Sequence, residues 1–152
     1  MSLRPIAQLH HSGCFIASVA MLLGKSYDDA FHLLHPGQKT WMLPDHGFLE
    51  ASVEEAAHRL LRNLGFKTRS SRYRKFKSFT ERVNKNAIMI VRWANEPDLC
   101  HCIVFDGESK TFIEPDGGYI IRSRYTLKRL QEQLDCAIII DKTPSHCWIR
   151  KS

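Results

Sequence analysis

Cys14 follows Gly13 and opens an apolar run, Phe15-Ile16-Ala17-Ser18-Val19-Ala20-Met21-Leu22-Leu23, that stops at Gly24. A cysteine placed where a loop turns into a buried helix faces unpaired backbone N–H groups and the positive end of the helix dipole, and both favour its thiolate. A thiolate that attacks an amide needs three further parts: an imidazole that pairs with it and protonates the leaving amine, a side chain that orients the imidazole, and donors for the tetrahedral oxyanion. The chain holds a candidate for each. His101 lies in the apolar segment Cys100-His101-Cys102-Ile103-Val104-Phe105, 87 residues after Cys14, and the next apolar segment ends in Glu114-Pro115-Asp116. Gln8 stands six residues before Cys14, where its amide N–H₂ would join the Cys14 backbone N–H as an oxyanion hole. Taken singly, Cys14 reads as a small buried hydrophobe and His101 as a satisfied core histidine. Their combination with Gln8 points to nucleophilic chemistry.

Strand geometry narrows the third role. Cys100–Phe105 and Lys110–Glu114 read as two strands of a hairpin joined through Asp106-Gly107-Glu108-Ser109. A two-residue turn at Gly107 and Glu108 pairs Asp106 with Ser109 and sets His101 opposite Glu114. A loop two residues longer sets it opposite Asp116 instead. Both acids share one side of the return strand because side chains alternate with period two. Either Glu114 or Asp116 is therefore the residue that orients the imidazole.

These residues need a scaffold, and the pattern of the chain supplies one. After the Cys14 helix, Ser26 caps a second, short helix with Asp29 three residues on, ended by His35-Pro36-Gly37. Gln38 to Leu49 reads as an irregular loop, a candidate wall for a cleft. Ser52-Val53-Glu54-Glu55 opens a third helix with Val53, Ala56, Ala57, Leu60, Leu61 and Leu64 on one face and Gly65 at its close. His58 falls outside that stripe and is expected at the surface. Phe66 to Tyr73 reads as an edge strand, Ser78-Phe79-Thr80-Glu81 as the start of a helix to about Lys85, and Ala87–Trp93 as a buried strand. Tyr119–Arg122 forms a further strand. Thr126 then caps a helix with Leu127, Leu130 and Leu134 on one face, and Ala137–Ile140 returns as the last strand. Helices first and an antiparallel sheet after them is the α+β signature. The whole length, 152 residues, is expected to be one domain, with residues 143–152 as a loose tail.

Composition excludes several classes. With 43% apolar and 25% charged residues the chain is globular. No stretch approaches the roughly 18 apolar residues of a membrane span, and Met1 to Gln8 does not resemble a signal peptide, so a cytoplasmic protein is expected. Five cysteines, none in a C-x-x-C spacing, suit free thiols in a reducing compartment. Cys100 and Cys102 flank His101, but on a strand they point away from the imidazole, and no second ligand pair has zinc spacing, so no metal is expected. The net charge of +6 is local: Lys67 to Lys77 carries six basic residues and no acid. With Tyr73 and Phe76 interleaved, that stretch is either a solvated sheet edge, the reading favoured here, or a surface for nucleic acid. His10 and His11 lie close enough in sequence to tune Cys14. Trp41, Trp93 and Trp148 suit a substrate groove or simple packing equally.

Together, Gln8 with Cys14, Ala17 in the helix, Leu60 to Phe66 ending in Leu-Gly-Phe, His101-Cys-Ile-Val-Phe-Asp-Gly and Glu114-Pro115 resemble the papain-like cysteine peptidases. The likeness is nearest to stand-alone relatives of the double-glycine leader peptidases that mature bacteriocins, found in bacteria and their phages. Relatives usually carry Asp-Pro where this chain has Glu114-Pro115, and many carry glycine directly after the cysteine, where this chain has Phe15. The resemblance implies a papain-like α+β fold, N-terminal helices packed on a C-terminal antiparallel sheet, with the cleft between them. It implies a cysteine peptidase, or a related amidase or deamidase, acting on a peptide or protein without a cofactor. A catalytically inactive binding module of the same fold is the alternative.

Overall fold

The computed structural model describes residues 2–9, 13–36, 53–93 and 96–144. The expectations for His10, His11, Gln38–Leu49, the Ser52 cap, the side chains of Trp41, Trp93 and Trp148, and Cys147 lie outside what it describes. Five helices and six strands follow in the order α1 (Cys14–Leu23), α2 (Tyr27–Leu34), α3 (Val53–Asn63), β1 (Lys67–Ser70), α4 (Phe76–Arg82), β2 (Ala87–Trp93), β3 (Glu96–Asp106), β4 (Thr111–Glu114), β5 (Tyr119–Ile121), α5 (Arg124–Glu132) and β6 (Leu134–Lys142). The strands form one sheet in the order β1-β6-β2-β3-β4-β5, and every neighbouring pair is antiparallel. The architecture is mixed helix and antiparallel sheet, as the sequence pattern predicts.

Period-two alternation divides the sheet into two buried faces. Ile88 and Ile90 of β2, Cys102 and Val104 of β3, Ile113 of β4, and Cys136, Ile138 and Ile140 of β6 pack with α1, α2 and α3. Met89, Val91, Ile103, Phe105, Phe112, Ala137 and Ile139 pack on the other side with Phe76 and Phe79 of α4 and Leu130 of α5. Two-sided burial explains why β2 and β6 read as continuous apolar runs. It also extends the expected architecture, because α4 and α5 cover a face that the N-terminal helices do not. All ten residues of α1 are buried. At about 1.5–3 kcal/mol for each large apolar side chain, α1 is firmly held, the one helix among the described residues with every residue buried. It stops at Gly24, whose φ of 67° is left-handed and whose N–H closes on Ala20 and Met21.

Four expectations change. α4 begins at Phe76, not Ser78: the Phe76 N–H is satisfied by Gln131 Oε1 at 2.6 Å, and its ring stacks on Phe112 with centroids 4.5 Å apart. Tertiary partners therefore outweigh the local capping box. α5 begins at Arg124 with Ser123 as its cap, accepting from the Thr126 N–H at 3.2 Å, and Leu134 opens β6 and is not part of the helix. Within the basic stretch, Tyr73 packs edge-on against Phe79 and Phe76 is buried, so both aromatics face the core. Arg69 pairs with Asp141, and Arg74 donates to the carbonyls of Leu134 and Asp135. β1 is nevertheless an edge strand, as expected. No helix among the described residues is long and apolar enough to cross a membrane.

His58 is the fourth correction. It is buried between α3 and β1, with Nδ1 2.7 Å from Thr68 Oγ1 and Nε2 3.0 Å from Ser70 Oγ. Thr68 and Ser70 are two apart on β1 and share a face, which sets both hydroxyls toward one ring. Burial, then the nearby Arg62 charge, lowers the His58 pKa below 6.5, with Glu54 opposing. Above that value the ring is neutral in the folded and unfolded chain alike. As pH falls below it, the unfolded chain takes up the proton first, so stability drops until the depressed folded pKa is passed. The wild-type melting temperature should therefore fall between about pH 6.5 and 5, and less so in His58→Gln, which retains hydrogen-bonding capacity without titrating. Equal pH dependence in both proteins would show that another group carries the acid sensitivity.

Candidate active site

α1 begins directly at Cys14. Gly13 is its N-cap, without a side-chain cap, and no acid occupies the first turn. The positive end of the most buried helix is thus unopposed beside the sulfur. Ser18 Oγ donates to the Cys14 carbonyl at 2.7 Å, and Ala17 N–H donates to the Gly13 carbonyl at 2.9 Å, which hold the first turn in place.

The hairpin that carries His101 differs from the simplest expectation. Asp106 pairs with Thr111, Phe105 with Phe112 and Val104 with Ile113, so the loop is the four residues Gly107–Lys110. Its geometry has local causes. Asp106 accepts from the Glu108 N–H at 3.0 Å and the Ser109 hydroxyl at 2.9 Å, and Lys110 takes a left-handed φ of 60°. Gly107 passes so close to the backbone of Asn84 and Lys85 that a Cβ there would lie 2.5–2.6 Å from their atoms. This register, extended, would face His101 with Asp116. Yet β4 ends at Glu114, and Asp116 is exposed. Glu114, the diagonal neighbour on the same face as His101, takes the role instead. His101 Nε2 donates to Glu114 Oε2 at 2.6 Å, and the same oxygen accepts from the Asp116 N–H at 3.1 Å. Of the two candidate acids, Glu114 is therefore the one bonded to His101, and Asp116 contributes only its backbone.

β3 runs on beyond β4, whose pairing with it stops at Val104. Among the described residues, β4 does not extend alongside residues 101 and 102 of β3. The neighbouring Cys102 thiol, then the His101 hydrogen bond and charge, act on Cys14 to lower its pKa. This edge position resolves an apparent conflict of faces. Cys102 and α1 belong to one side of the sheet and His101 and Glu114 to the other, but both sides are within reach of an atom at the rim.

The Cys102 thiol hydrogen bond, against the opposing effect of burial and with help from the His101 hydrogen bond and charge, holds Cys14 well below the ordinary thiol range. Burial works against a charged His101, but its bonds to Cys14 and Glu114 push it up to about 10. Cys102 is pushed well up by Cys14 and by burial. Of the two thiols, the downward shift falls on Cys14, the one that His101 also acts on, and the upward shift on Cys102. With His101 raised, these directions favour a thiolate–imidazolium pair. Burial raises Cys100, and pushes Cys136 up to about 12.

Gln8 is brought to the same end of the hairpin by the N-terminal segment. Leu3 N–H donates to Asp106 Oδ2 at 2.9 Å, and Gln8 N–H donates to the Pro115 carbonyl at 2.8 Å. Gly118, at φ 68°, passes Ala7 so closely that a Cβ would lie 2.7 Å from its nitrogen. Gln8 is half-buried, beside the residue that follows Glu114. Cys102 is the participant that sequence reasoning missed. Alternation sets it opposite His101, and the sequence carries no signal that β4 stops short and leaves the rim open. Among the described residues, no group of three or more His, Cys, Asp or Glu side chains is arranged to hold a metal.

Two outcomes follow for the purified chain. At pH 6 an ordinary thiol is under about 1% ionised, so iodoacetamide should label Cys14 far faster than Cys100, Cys102 or Cys136. His101→Ala should slow Cys14 labelling by about 10- to 100-fold, and uniform slow labelling of the wild type, read by peptide mass spectrometry, would remove the ion pair. Glu114→Gln keeps a hydrogen-bond partner but loses the charge that supports the imidazolium. It should slow labelling at pH 6 by about 10-fold, whereas Asp116→Asn should leave the rate unchanged. A larger effect at Asp116 would reverse the assignment of the third residue.

Compared with known proteins, the sequence matches no family model and no curated protein, so its function has to be argued from this site's own geometry.

Proposed function

We propose that this chain is a papain-like cysteine peptidase that hydrolyses amide bonds through Cys14, His101 and Glu114. The observation that carries the reading is the 2.6 Å hydrogen bond of His101 to Glu114, joined by the mutual shift that lowers the Cys14 thiol and raises the His101 imidazole, with Cys14 at the start of a buried helix. A structural cysteine or histidine does not require a neighbour of this kind on each side.

The steps follow from the atoms present. The Cys14 thiolate attacks the carbonyl carbon of the substrate amide, and the oxygen takes up the negative charge. The Cys14 N–H and the Gln8 side-chain amide are the donors for that oxyanion, which the unopposed helix end also favours. The imidazolium then gives its proton to the leaving nitrogen as the C–N bond breaks, leaving a thioester on Cys14. A water attacks the thioester with His101 as its base, the acid product leaves, and the thiolate–imidazolium pair is restored. Glu114 remains ionised throughout, holding the ring and stabilising its charged form. The substrate class is a peptide or protein segment extended enough to enter between α1 and the hairpin. No step calls for a cofactor.

The test is incubation of the full chain with an unfolded protein mixture, with new termini identified by mass spectrometry. Cleavage should accumulate with the wild type and be absent with Cys14→Ala. Gln8→Ala should lower kcat by about 10²–10³-fold while leaving pH 6 alkylation of Cys14 intact. That split separates loss of an oxyanion donor from loss of the fold. Fast alkylation without any amide cleavage would sink the peptidase reading.

A further inference from the structure

We propose that residues 72–77 and α5 together form a binding surface for single-stranded nucleic acid, with phosphates on its lysines and arginines and a base stacked on Tyr125. The proposal does not depend on amide hydrolysis. Its basis is the joining of two basic segments that lie far apart in the chain. Residues 71–77 hold four basic residues and no acid, and residues 117–131 hold four more and again no acid. The two segments meet in space. The Phe76 N–H donates to Gln131 Oε1 at 2.6 Å, and Arg74 donates to the carbonyls of Leu134 and Asp135, just after the helix, at 2.9 Å each. The Phe76 ring stacks on Phe112, whose partner on the next strand is Ile121, three residues before α5 begins.

Some charges of the basic stretch are spent within the fold: Arg69 on Asp141 and Arg74 on the two carbonyls. Arg72, Lys75, Lys77, Arg124 and Lys128 are exposed, and none has a carboxylate partner among the described residues. At about 100° per residue, Leu127 and Leu130 turn to the core, Arg124 and Lys128 follow on the flank that holds Gln131, and Tyr125 is outermost. Lys128, one turn before Gln131, therefore faces the segment that carries Lys75 and Lys77. Cations gathered without acids repel one another, and a polyanion relieves that repulsion. The nearest acids bound the surface: Asp135 is paired with Arg92 at 3.8 Å, and Glu132 closes the end of α5. Tyr125 is 68% exposed, and Arg129 donates to its hydroxyl at 3.2 Å with the guanidinium carbon 5.8 Å from the ring centroid. A base laid on that ring gains stacking, with the cation beside it. Only an unstacked base offers its face, which favours a single strand over a duplex. An acidic peptide would answer the charges and leave the ring unused. A lipid surface would find no apolar face to take up, because the leucines of α5 point inward.

The full chain, titrated into fluorescein-labelled oligothymidylate or oligouridylate of about 20 nucleotides, should raise the anisotropy at low salt. The logarithm of the binding constant should fall with the logarithm of salt concentration by about 0.7 for each phosphate neutralised. Lys75→Gln combined with Lys128→Gln should reduce that slope by about 1.4. Tyr125→Ala should weaken binding by about 5- to 100-fold with the slope unchanged, and Tyr125→Phe should bind as the wild type does. Arg62→Gln, at an exposed site on α3 across the sheet, should also bind as the wild type does. Binding that ignores salt, or a loss in Arg62→Gln equal to that in the double variant, overturns the proposal. So does tighter binding to a DNA duplex, to polyglutamate or to phosphatidylserine vesicles than to the single strand. That competition uses the wild type and decides the matter even if a variant fails to fold. Oligonucleotide binding by a chain without peptidase activity would uphold this inference and remove the other reading, and cleavage without such binding would do the reverse.

Discussion

Everything at the candidate site depends on one edge. β3 continues past the point where β4 stops pairing with it, and among the described residues this leaves a short length of β3 paired with β2 on one edge but not with β4 on the other. The Cys14 thiol is influenced there by groups from both faces of the sheet, the Cys102 thiol and the His101 imidazole. Had β4 run two residues further, its backbone would occupy that space. The short β4 thus makes room for the junction between a helix on one side and a hydrogen-bonded histidine on the other.

The length of β4 is in turn controlled from the far end of the hairpin. The four-residue loop is stabilised by Asp106, which accepts two bonds within the loop and a third from the Leu3 N–H of the N-terminal segment. One buried carboxylate therefore sets the register that leaves Glu114 diagonal to His101 and also anchors the segment that ends at Gln8. Diagonal neighbours are farther apart than directly paired ones. A glutamate has one more methylene than an aspartate, and here that extra reach closes a 2.6 Å bond to the ring.

Electrostatically, the site separates two thiols that are chemically alike. Both are buried, and burial alone favours the neutral form of each. The influence of His101 on only one of them breaks the symmetry, so the thiol pKa is lowered at Cys14 and raised at Cys102. The balance runs the other way at His58, whose ring nitrogens meet two hydroxyls and where burial outweighs the Glu54 carboxylate 4.0 Å from Nε2, lowering the pKa.

Much was legible in the amino-acid sequence because it is written in local periodicity. The helix from Cys14 to Gly24, the Ser26 cap, the apolar runs of β2 and β6 and the edge position of Lys67–Ser70 all follow from near-neighbour patterns. So did Gln8, Cys14 and His101 as candidates, along with the pair Glu114 and Asp116. What the sequence left open was decided by contacts between residues far apart in the chain. The Gln131 side chain moved the start of α4, the hydroxyls of β1 buried His58, and the end of β4 chose Glu114 over Asp116. The placement of Cys102 against Cys14 is the clearest case. Period two says only that it faces away from His101, and the tertiary packing of α1 on the sheet puts it in one buried cluster with Cys14.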